Sequence, residues 1–201
     1  MSDSTTYPHI IYESRLTLII ALSDAELGKV MFSNPIRWVD SDNNPVDLGL
    51  EQPTAQKEAK MLRYANEIND LMPRFIEMRQ WTTPDGEVHD MVVMERLEVL
   101  PIHHFDKSTR LQMLKVFNEK LEEQRNSFFL HNDIKRPTMY FNRGDKEWMY
   151  SNVIQTPSQL RLIDAGFARV YPYNDLSDFR MSLRRNLLES MDFGDYYMEE
   201  E

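Results

Sequence analysis

The first third of the chain alternates short apolar runs with polar residues. The runs Ile10-Ile11-Tyr12, Leu16 to Leu22 and Val30-Met31-Phe32 are each about the length of a strand, and polar residues separate them. Apolar runs this short, bounded by polar residues, are typical of strands. We therefore expect the chain to begin with a three-stranded antiparallel sheet.

The next part of the chain changes from irregular to periodic. The stretch from Asn34 to Pro53 contains three prolines and the turn-rich segment Asp40 to Pro45, which predicts a long connection. After it, apolar residues recur at helical spacing, and we expect a helix from about Thr54 to Asp70. The members of that stripe are Ala59, Leu62, Ala65 and Ile68.

A hairpin and a second helix follow. The strands Phe75 to Met78 and Met91 to Met94 flank Asp85-Gly86, a dipeptide that strongly favours a chain reversal between strands. Residues Lys107 to Ser127 then carry one apolar stripe among charged residues, which predicts an amphipathic helix. That stripe consists of Leu111, Leu114, Phe117 and Leu121.

The last third is expected to hold two short strands, Met139 to Phe141 and Leu160 to Ile163, and a final helix from Leu176 to Met191. A polar segment containing Arg143-Gly144-Asp145 separates the strands in the manner of a hairpin. Strands and helices do not alternate regularly along the chain, so the order favours an α+β architecture over a doubly wound parallel sheet.

Charge and composition narrow the classes of function. The 201 residues carry a net charge of −10, which disfavours nucleic acid as the main ligand because affinity for it comes largely from lysine and arginine. No apolar run is long enough to span a bilayer, and Met1 to Thr6 has no signal-peptide pattern, so we expect a cytoplasmic protein that does not bind membranes. The chain has no cysteine, which excludes thiolate metal sites.

Two motifs carry the candidate chemistry. The first is Leu130-His131-Asn132-Asp133-Ile134-Lys135, after the amphipathic helix, and the second is Leu162-Ile163-Asp164-Ala165-Gly166, at the end of an apolar strand. In this order and context they resemble the catalytic loop and the metal-binding Asp-x-Gly turn of protein kinases. The resemblance covers roughly Tyr7 to Met191.

The resemblance implies a bilobal α+β protein-kinase-like fold with a strand-rich N-lobe and a truncated helical C-lobe. The N-lobe would span about residues 7–97, the reduced C-lobe 98–191, and an acidic tail 192–201. Asp178 comes only 14 residues after Asp164, an interval too short for the usual activation segment and peptide-docking platform. This truncation resembles the minimal effector kinases that bacterial pathogens inject into host cells.

The same resemblance assigns the phosphate-binding residues. Lys29 is the only lysine before Lys57 and lies in a predicted strand, so it would bind the ATP phosphates, with Glu58 of the next helix as its ion-pair partner. Adenine would bind at the segment that follows the hairpin, with Met94 as gatekeeper and Glu95 and Leu97 beside the base.

The catalytic roles are assigned likewise. Asp133 would orient the acceptor hydroxyl or accept its proton, Lys135 would steady the γ-phosphate, and Asp164 would hold Mg²⁺. The family's second metal ligand is an asparagine five residues after the catalytic aspartate, and Thr138 occupies that position. Asp178 resembles the aspartate that holds the catalytic loop from the central helix of the C-lobe.

Some family features are absent from the sequence. No glycine lies between the first two strands, where Tyr12 to Leu16 replaces the phosphate-covering loop. Asn132 stands where arginine usually precedes the catalytic aspartate, and Ala165 stands where the family has phenylalanine. Regulation by activation-segment phosphorylation is therefore not expected.

The expected function is ATP- and Mg²⁺-dependent phosphoryl transfer to a protein hydroxyl by a minimal Ser/Thr-type kinase. The alternative is a pseudokinase, a binding module that acts through a protein partner, and the missing glycines and Thr138 favour it. A small-molecule kinase of similar fold, or motifs with a purely structural role, are further alternatives. The partner is expected to be a protein substrate or regulator in the cytoplasm, including that of a host cell.

Overall fold

The computed structural model of the chain describes residues 8–14, 17–32, 38–39, 45–46, 54–142, 145–149 and 151–199. For 38–39, 45–46, 138–142 and 145–149 only the backbone is described. Most of the connection predicted between Asn34 and Pro53, the tip Arg143-Gly144 and the last two residues of the acidic tail lie outside these ranges.

The chain divides into two compact units. The first comprises Met1–Lys60 and Phe75–Arg96, and the second comprises Met61–Arg74 and Leu97–Glu201. Hydrogen bonds explain why 61–74 belongs to the second unit. The Leu162 amide donates to the Leu71 carbonyl at 2.9 Å, and the Arg161 guanidinium donates to the Met72 carbonyl at 2.8 Å.

The first unit is built on a five-stranded antiparallel sheet in the order β1-β2-β3-β7-β6. Two further short strands, β4 and β5, pair with each other. The three N-terminal strands and the hairpin predicted around Asp85-Gly86 are confirmed, and Gly86 has the positive φ of 92° that the reversal requires. The strands are β1 (His9–Glu13), β2 (Thr17–Ala21), β3 (Glu26–Met31), β4 (Trp38–Val39), β5 (Pro45–Val46), β6 (Phe75–Thr82) and β7 (Val88–Glu95).

The core of this sheet follows from the alternation of side chains along its strands. Alternating positions of neighbouring strands supply Leu18, Ile20, Val30, Met91 and Val93, which pack as one apolar cluster. Helix α1 (Ala55–Ile68) begins after Thr54, whose Oγ1 accepts the Lys57 amide at 3.1 Å. The predicted helix is confirmed within two residues at each end.

Helix α2 of the second unit covers Lys107–Asn126, as predicted, with Asp106 capping it by accepting the Thr109 amide. Helix α3 covers Leu176–Met198 and so continues past the predicted end at Met191. Residues 192–198, expected as part of an acidic tail, are helical because Phe193 and Tyr197 are fully buried.

Short strand pairs complete the second unit. Strand β8 (Phe129–Leu130) pairs with β13 (Arg169–Val170), β9 (Thr138–Asn142) with β10 (Asp145–Met149), and β11 (Val153–Gln155) with β12 (Leu160–Leu162). Strands β9 and β12 match predicted ones, whereas β10 and β11 were not predicted. None of the helices in the described ranges is long and apolar enough to cross a membrane.

Candidate active site

A buried ion pair lies in the first unit. Strand β3 places Lys29 between Ile19 of β2 and Val92 of β7, and Glu58 lies in the first turn of α1. Lys29 Nζ is 2.8 Å from Oε2 and 3.0 Å from Oε1 of Glu58, and the two side chains are only 9% and 1% exposed. Charges this deeply buried persist only when they are paired. The structure thus brings together the predicted lysine and glutamate.

In the second unit, His131 joins the two sequence motifs. Its Nε2 lies 2.9 Å from the carbonyl oxygen of Ile163, one residue before Asp164. Burial lowers the pKa of His131, against the opposing effect of the nearby Asp133 and Asp164 carboxylates. A neutral imidazole that donates its Nε2–H to this carbonyl satisfies the contact and fixes the two loops next to each other.

Two side chains hold the carboxylate of Asp133. Lys135 Nζ is 3.2 Å from both of its oxygens, and Asn152 Nδ2 donates to Oδ2 at 2.6 Å and to the Asp133 carbonyl at 3.1 Å. Hydrogen bonds to a charged carboxylate are stronger than those between neutral groups. Asp133 is therefore positioned by a cation and an amide that come from different segments.

Asp164 lies at a sharp turn after β12. Its backbone is left-handed (φ 63°, ψ 77°), and its Oδ1 accepts the Gly166 amide at 3.3 Å as the cap of a short 3₁₀ turn, Ala165–Phe167. Asn132 has a similar positive φ of 61°. Such φ values are uncommon for residues other than glycine and concentrate at functional loops.

Asn152 is the site residue that sequence reasoning missed. It directly precedes β11, and its carbonyl accepts the Ile163 amide at 2.9 Å, so it lies across from the residue before Asp164. The hairpin β9–β10 lies between Asp133 and Asn152 in sequence, so a spacing of five residues from Asp133 falls on Thr138 and not on Asn152. The signal for it was an asparagine immediately before β11, which pairs with β12, but the sequence analysis did not predict β11.

Thr138 begins strand β9, where its backbone pairs with Met149. Its side chain lies outside the described part of the structure. The hairpin thus starts at the position where the sequence predicted a metal ligand.

The expectation for Asp178 was wrong. The backbone amide of Ile134, in the loop that carries Asp133, donates to Oε2 of Glu189 at 3.2 Å, and no bond from Asp178 to this loop is found among the described residues. Asp178 does not make this contact because it lies in the first turn of α3, away from the part of the helix that bonds to the loop. Glu189 lies three turns further along the helix and is oriented by Arg185 at 2.6 Å.

The predicted adenine-binding residues lie at the end of β7 and just after it. Met94 is buried and pairs with Leu27 and Phe75, and Glu95 pairs with Glu26. Leu97 follows the strand and is the first residue of this part of the chain assigned to the second unit.

The turn between β1 and β2 is closed by a serine. The Ser14 amide donates to the Thr17 carbonyl at 2.8 Å, and Ser14 Oγ accepts the Thr17 amide at 3.1 Å. Only three residues, Ser14 to Leu16, separate the two strands, and none of them is glycine.

The oxygen donors of the second unit fit a magnesium ion. Asn152 directs Nδ2 at Asp133, which leaves its amide oxygen as the atom able to face a cation, and Asp164 supplies a carboxylate. Mg²⁺ prefers such oxygen ligands and usually takes only one or two from the protein, with phosphates and water completing the shell. Within the described residues no group of three or more His, Asp or Glu side chains is arranged around a metal position.

The sequence matches no protein-family model and no curated protein. The fold is similar to that of a Rio2 kinase from Chaetomium thermophilum, whose crystal structure is of a complex with ADP/Mg²⁺ and phosphoaspartate. The TM-score is 0.53 at 12% identity, over 92% of this chain and 53% of the Rio2 chain. The chain therefore spans about half the length of that kinase, and it has a protein-kinase-like fold with a strand-rich N-terminal sheet and a small helical C-terminal part.

Proposed function

We propose that this protein catalyses ATP-dependent phosphoryl transfer to a hydroxyl group of a protein. The observation that carries the proposal is the set of contacts around Asp133, which is bonded to Lys135 and Asn152 while His131 and Asn152 bond to the backbone beside Asp164. A kinase-like fold supports it. These contacts assemble a general-base carboxylate, a cation and oxygen ligands within one unit.

Asp133 acts on the acceptor in this proposal. A carboxylate held by Lys135 and Asn152 keeps a fixed direction, so it can orient the acceptor hydroxyl and take its proton as transfer proceeds. Lys135 balances the charge of Asp133, and its side chain, which is 30% exposed, brings the ammonium close enough to contact the γ-phosphate of a bound nucleotide as well.

Lys29 binds the nucleotide phosphates, and Glu58 keeps the ammonium in place. Lys29 Nζ lies 2.8 Å from Oε2 of Glu58, which is the ion pair that phosphate binding by this lysine requires. Met94, Glu95 and Leu97 bind the adenine base in this proposal.

Asp164 and Asn152 are proposed to hold Mg²⁺, with Asn152 taking the role that the sequence gave to Thr138. The ion neutralises the negative charge that accumulates on the phosphates. The protein's contribution is to orient the two ligands, which it does through the Gly166 amide at Asp164 and the Asp133 contacts at Asn152.

A binding module that does not transfer phosphate is the second candidate. The three-residue turn closed by Ser14 favours it, because a loop this short and without glycine gives little backbone to approach phosphates. Such a protein would bind a partner while retaining the fold.

The experiment measures transfer of radiolabelled phosphate from ATP to the chain itself and to a generic protein acceptor, alongside nucleotide binding with and without Mg²⁺. Asp133→Ala should abolish transfer and spare ATP binding. Asn152→Ala should reduce the Mg²⁺ dependence of binding, whereas Thr138→Ala, the matched control, should leave it unchanged.

Two results would reject the assignment. If the wild type binds nucleotide but transfers no more label than Asp133→Ala, the binding-module function takes its place. If Thr138→Ala alters the Mg²⁺ dependence and Asn152→Ala does not, the metal ligand is Thr138.

A further inference from the structure

An open groove of about 790 Å³ lies between α2 and α3 of the second unit. Large apolar side chains line it from both helices, and no described residue outside these two helices contributes to its walls. The groove takes no part in the candidate active site. Its apolar members are Leu111 and Leu114 of α2 and Leu187, Met191 and Met198 of α3.

Helix α3 carries two stripes with the same helical spacing. One stripe is buried within the second unit, and the other, displaced by one residue, faces the groove. The buried stripe begins with two polar residues, Asn186 and Ser190, whereas the stripe that faces the groove has no polar side chain. The inner stripe is Asn186, Ser190, Phe193 and Tyr197, and the outer stripe is Leu187, Met191, Gly194 and Met198.

The outer stripe is exposed to a degree unusual for such residues. Met191 is 65% exposed, Leu111 on the facing helix is 58% exposed, and Leu187 is 39% exposed. A helix that is apolar on two faces is normally covered on both, and a contiguous exposed apolar patch marks a surface for another molecule. The described chain covers only one face of α3.

The dimensions of the groove fit an α-helix. The outer stripe runs from Leu187 to Met198, which corresponds to about 16 Å, or three helical turns. Gly194 lowers the wall at its centre, where even an added Cβ would only reach ordinary contact with Leu114 at 3.6 Å. A third helix lying in the groove would bury the outer stripe of α3 together with Leu111 and Leu114 of α2.

The rim of the groove indicates the charge of that helix. Glu119, Glu122 and Asp195 line it together with Lys115 and Arg125. Lys115 lies 4.0 Å from Glu119, and the buried Arg125 lies 3.3 Å from Glu122. The exposed charges at the rim are therefore three carboxylates and one ammonium. A second copy of the chain would bring these carboxylates against each other, and each chain carries a net charge of −10.

We propose that the groove binds an amphipathic α-helix of another protein, with apolar residues at i, i+4, i+7 and i+11 and lysine or arginine beside that stripe. This mode of recognition is the insertion of a helix into an apolar groove. It does not depend on phosphoryl transfer.

The test uses a designed fluorescent peptide of about 16 residues, helical and with leucines at that spacing, flanked by lysines. A matched peptide has glutamates in place of the lysines. The basic peptide should bind the full chain with a Kd of about 10 to 100 μM by fluorescence anisotropy, and the acidic one should bind at least about tenfold more weakly at low salt.

Adjacent substitutions locate the binding. Leu187→Glu and Met191→Glu should weaken binding of the basic peptide by about tenfold or more, whereas Leu188→Glu, at a neighbouring residue that is 58% exposed but outside the groove, should not. Circular dichroism should show all three variants folded, since each replaced side chain is exposed.

Equal binding of the two peptides, no binding of either, or equal loss in Leu187→Glu and Leu188→Glu would overturn the proposal. So would a wild-type dimer in sedimentation that dissociates in Leu187→Glu, because the occupant would then be a second copy. A monomer that binds the basic peptide supports it.

Discussion

At the scale of single residues, the ion pair of Lys29 and Glu58 combines low exposure with short contacts. Glu58→Ala removes the closest carboxylate from a buried ammonium. We expect a loss of about 3 kcal/mol in the free energy of unfolding, measured by urea denaturation, because a buried charge without its partner is costly.

The double variant Lys29→Met/Glu58→Leu is the control for this prediction. It removes both charges and fills similar volumes, so it should recover most of the lost stability. If the double variant is as unstable as Glu58→Ala, packing rather than charge pairing is what Glu58 contributes.

Tyr197 gives a second prediction at this scale. Its hydroxyl lies 2.6 Å from Gln155 Oε1, and burial raises its pKa to about 12, although Arg110 acts in the opposite direction. The unfolded chain loses this proton near pH 10, earlier than the folded one, so this stabilisation is complete below pH 10 and is lost as the pH rises toward 12.

The difference in unfolding free energy between the wild type and Tyr197→Phe should therefore shrink from pH 9 to pH 11, by about 1 kcal/mol. Urea denaturation at several pH values measures it. A difference that stays constant over this range would contradict the raised pKa.

In the loop around Asp133, the sequence predicted the contact whose spacing is set locally. Asp133 and Lys135 lie two positions apart, so Lys135 reaches both carboxylate oxygens without help from the rest of the fold. Asn152 and Glu189 reach the same loop from segments that only the tertiary structure brings there. Side-chain roles of this second kind cannot be assigned from a fixed spacing.

At the scale of elements, Gly194 is the only glycine in α3. Glycine within a helix costs about 0.5 to 1 kcal/mol relative to alanine, and a Cβ at this position has ordinary contacts with Leu114 at 3.6 and 3.8 Å. Gly194→Ala should therefore raise the unfolding free energy by about that amount in thermal or urea denaturation.

Gly194→Ser is the matched comparison, since serine has a lower helix propensity, and it should give a smaller gain. A loss of stability in both variants would show that α2 and α3 approach too closely for any side chain at this position.

Periodicity identified the long elements because their stripes face one core. The apolar stripe that includes Phe117 and Leu121 predicted α2, with an error of one residue at its C-terminal end. The dipeptide Asp85-Gly86 predicted the position of the β6–β7 hairpin. The sequence pattern did not predict strands β10 and β11, because each is short and mixes polar with apolar residues. The C-terminal end of α3 was predicted too early, because acidic residues surround its buried Phe193 and Tyr197.

At the scale of the whole molecule, the last turns of α3 hold the second unit together. Phe193 and Tyr197 are fully buried, and Arg110 of α2 donates to the carbonyl oxygen of Tyr197 at 2.6 Å. Removal of residues 192–201 deletes both aromatic side chains, and loss of each costs about 3 to 5 kcal/mol.

The truncated chain should therefore lose its cooperative unfolding transition, followed by circular dichroism in urea. Removal of residues 200–201 alone is the control and should leave the transition unchanged, since the Arg110 contacts to Tyr197 and Glu199 remain. Cooperative unfolding of the longer truncation would show that the rest of the chain folds without this packing.

The segment between Asp133 and Asn152, which contains the β9–β10 hairpin, can differ in length between related proteins. Ser151 Oγ donates to the Lys135 carbonyl at 2.6 Å, and this bond joins the two ends of the segment that contains the β9–β10 hairpin. Because closure entropy grows slowly with length, doubling a closed loop costs only about 0.6 kcal/mol. Relatives should therefore gain or lose residues here at little cost, while the interval from Asn152 to Asp164, fixed by the pairing of β11 with β12, should stay nearly constant.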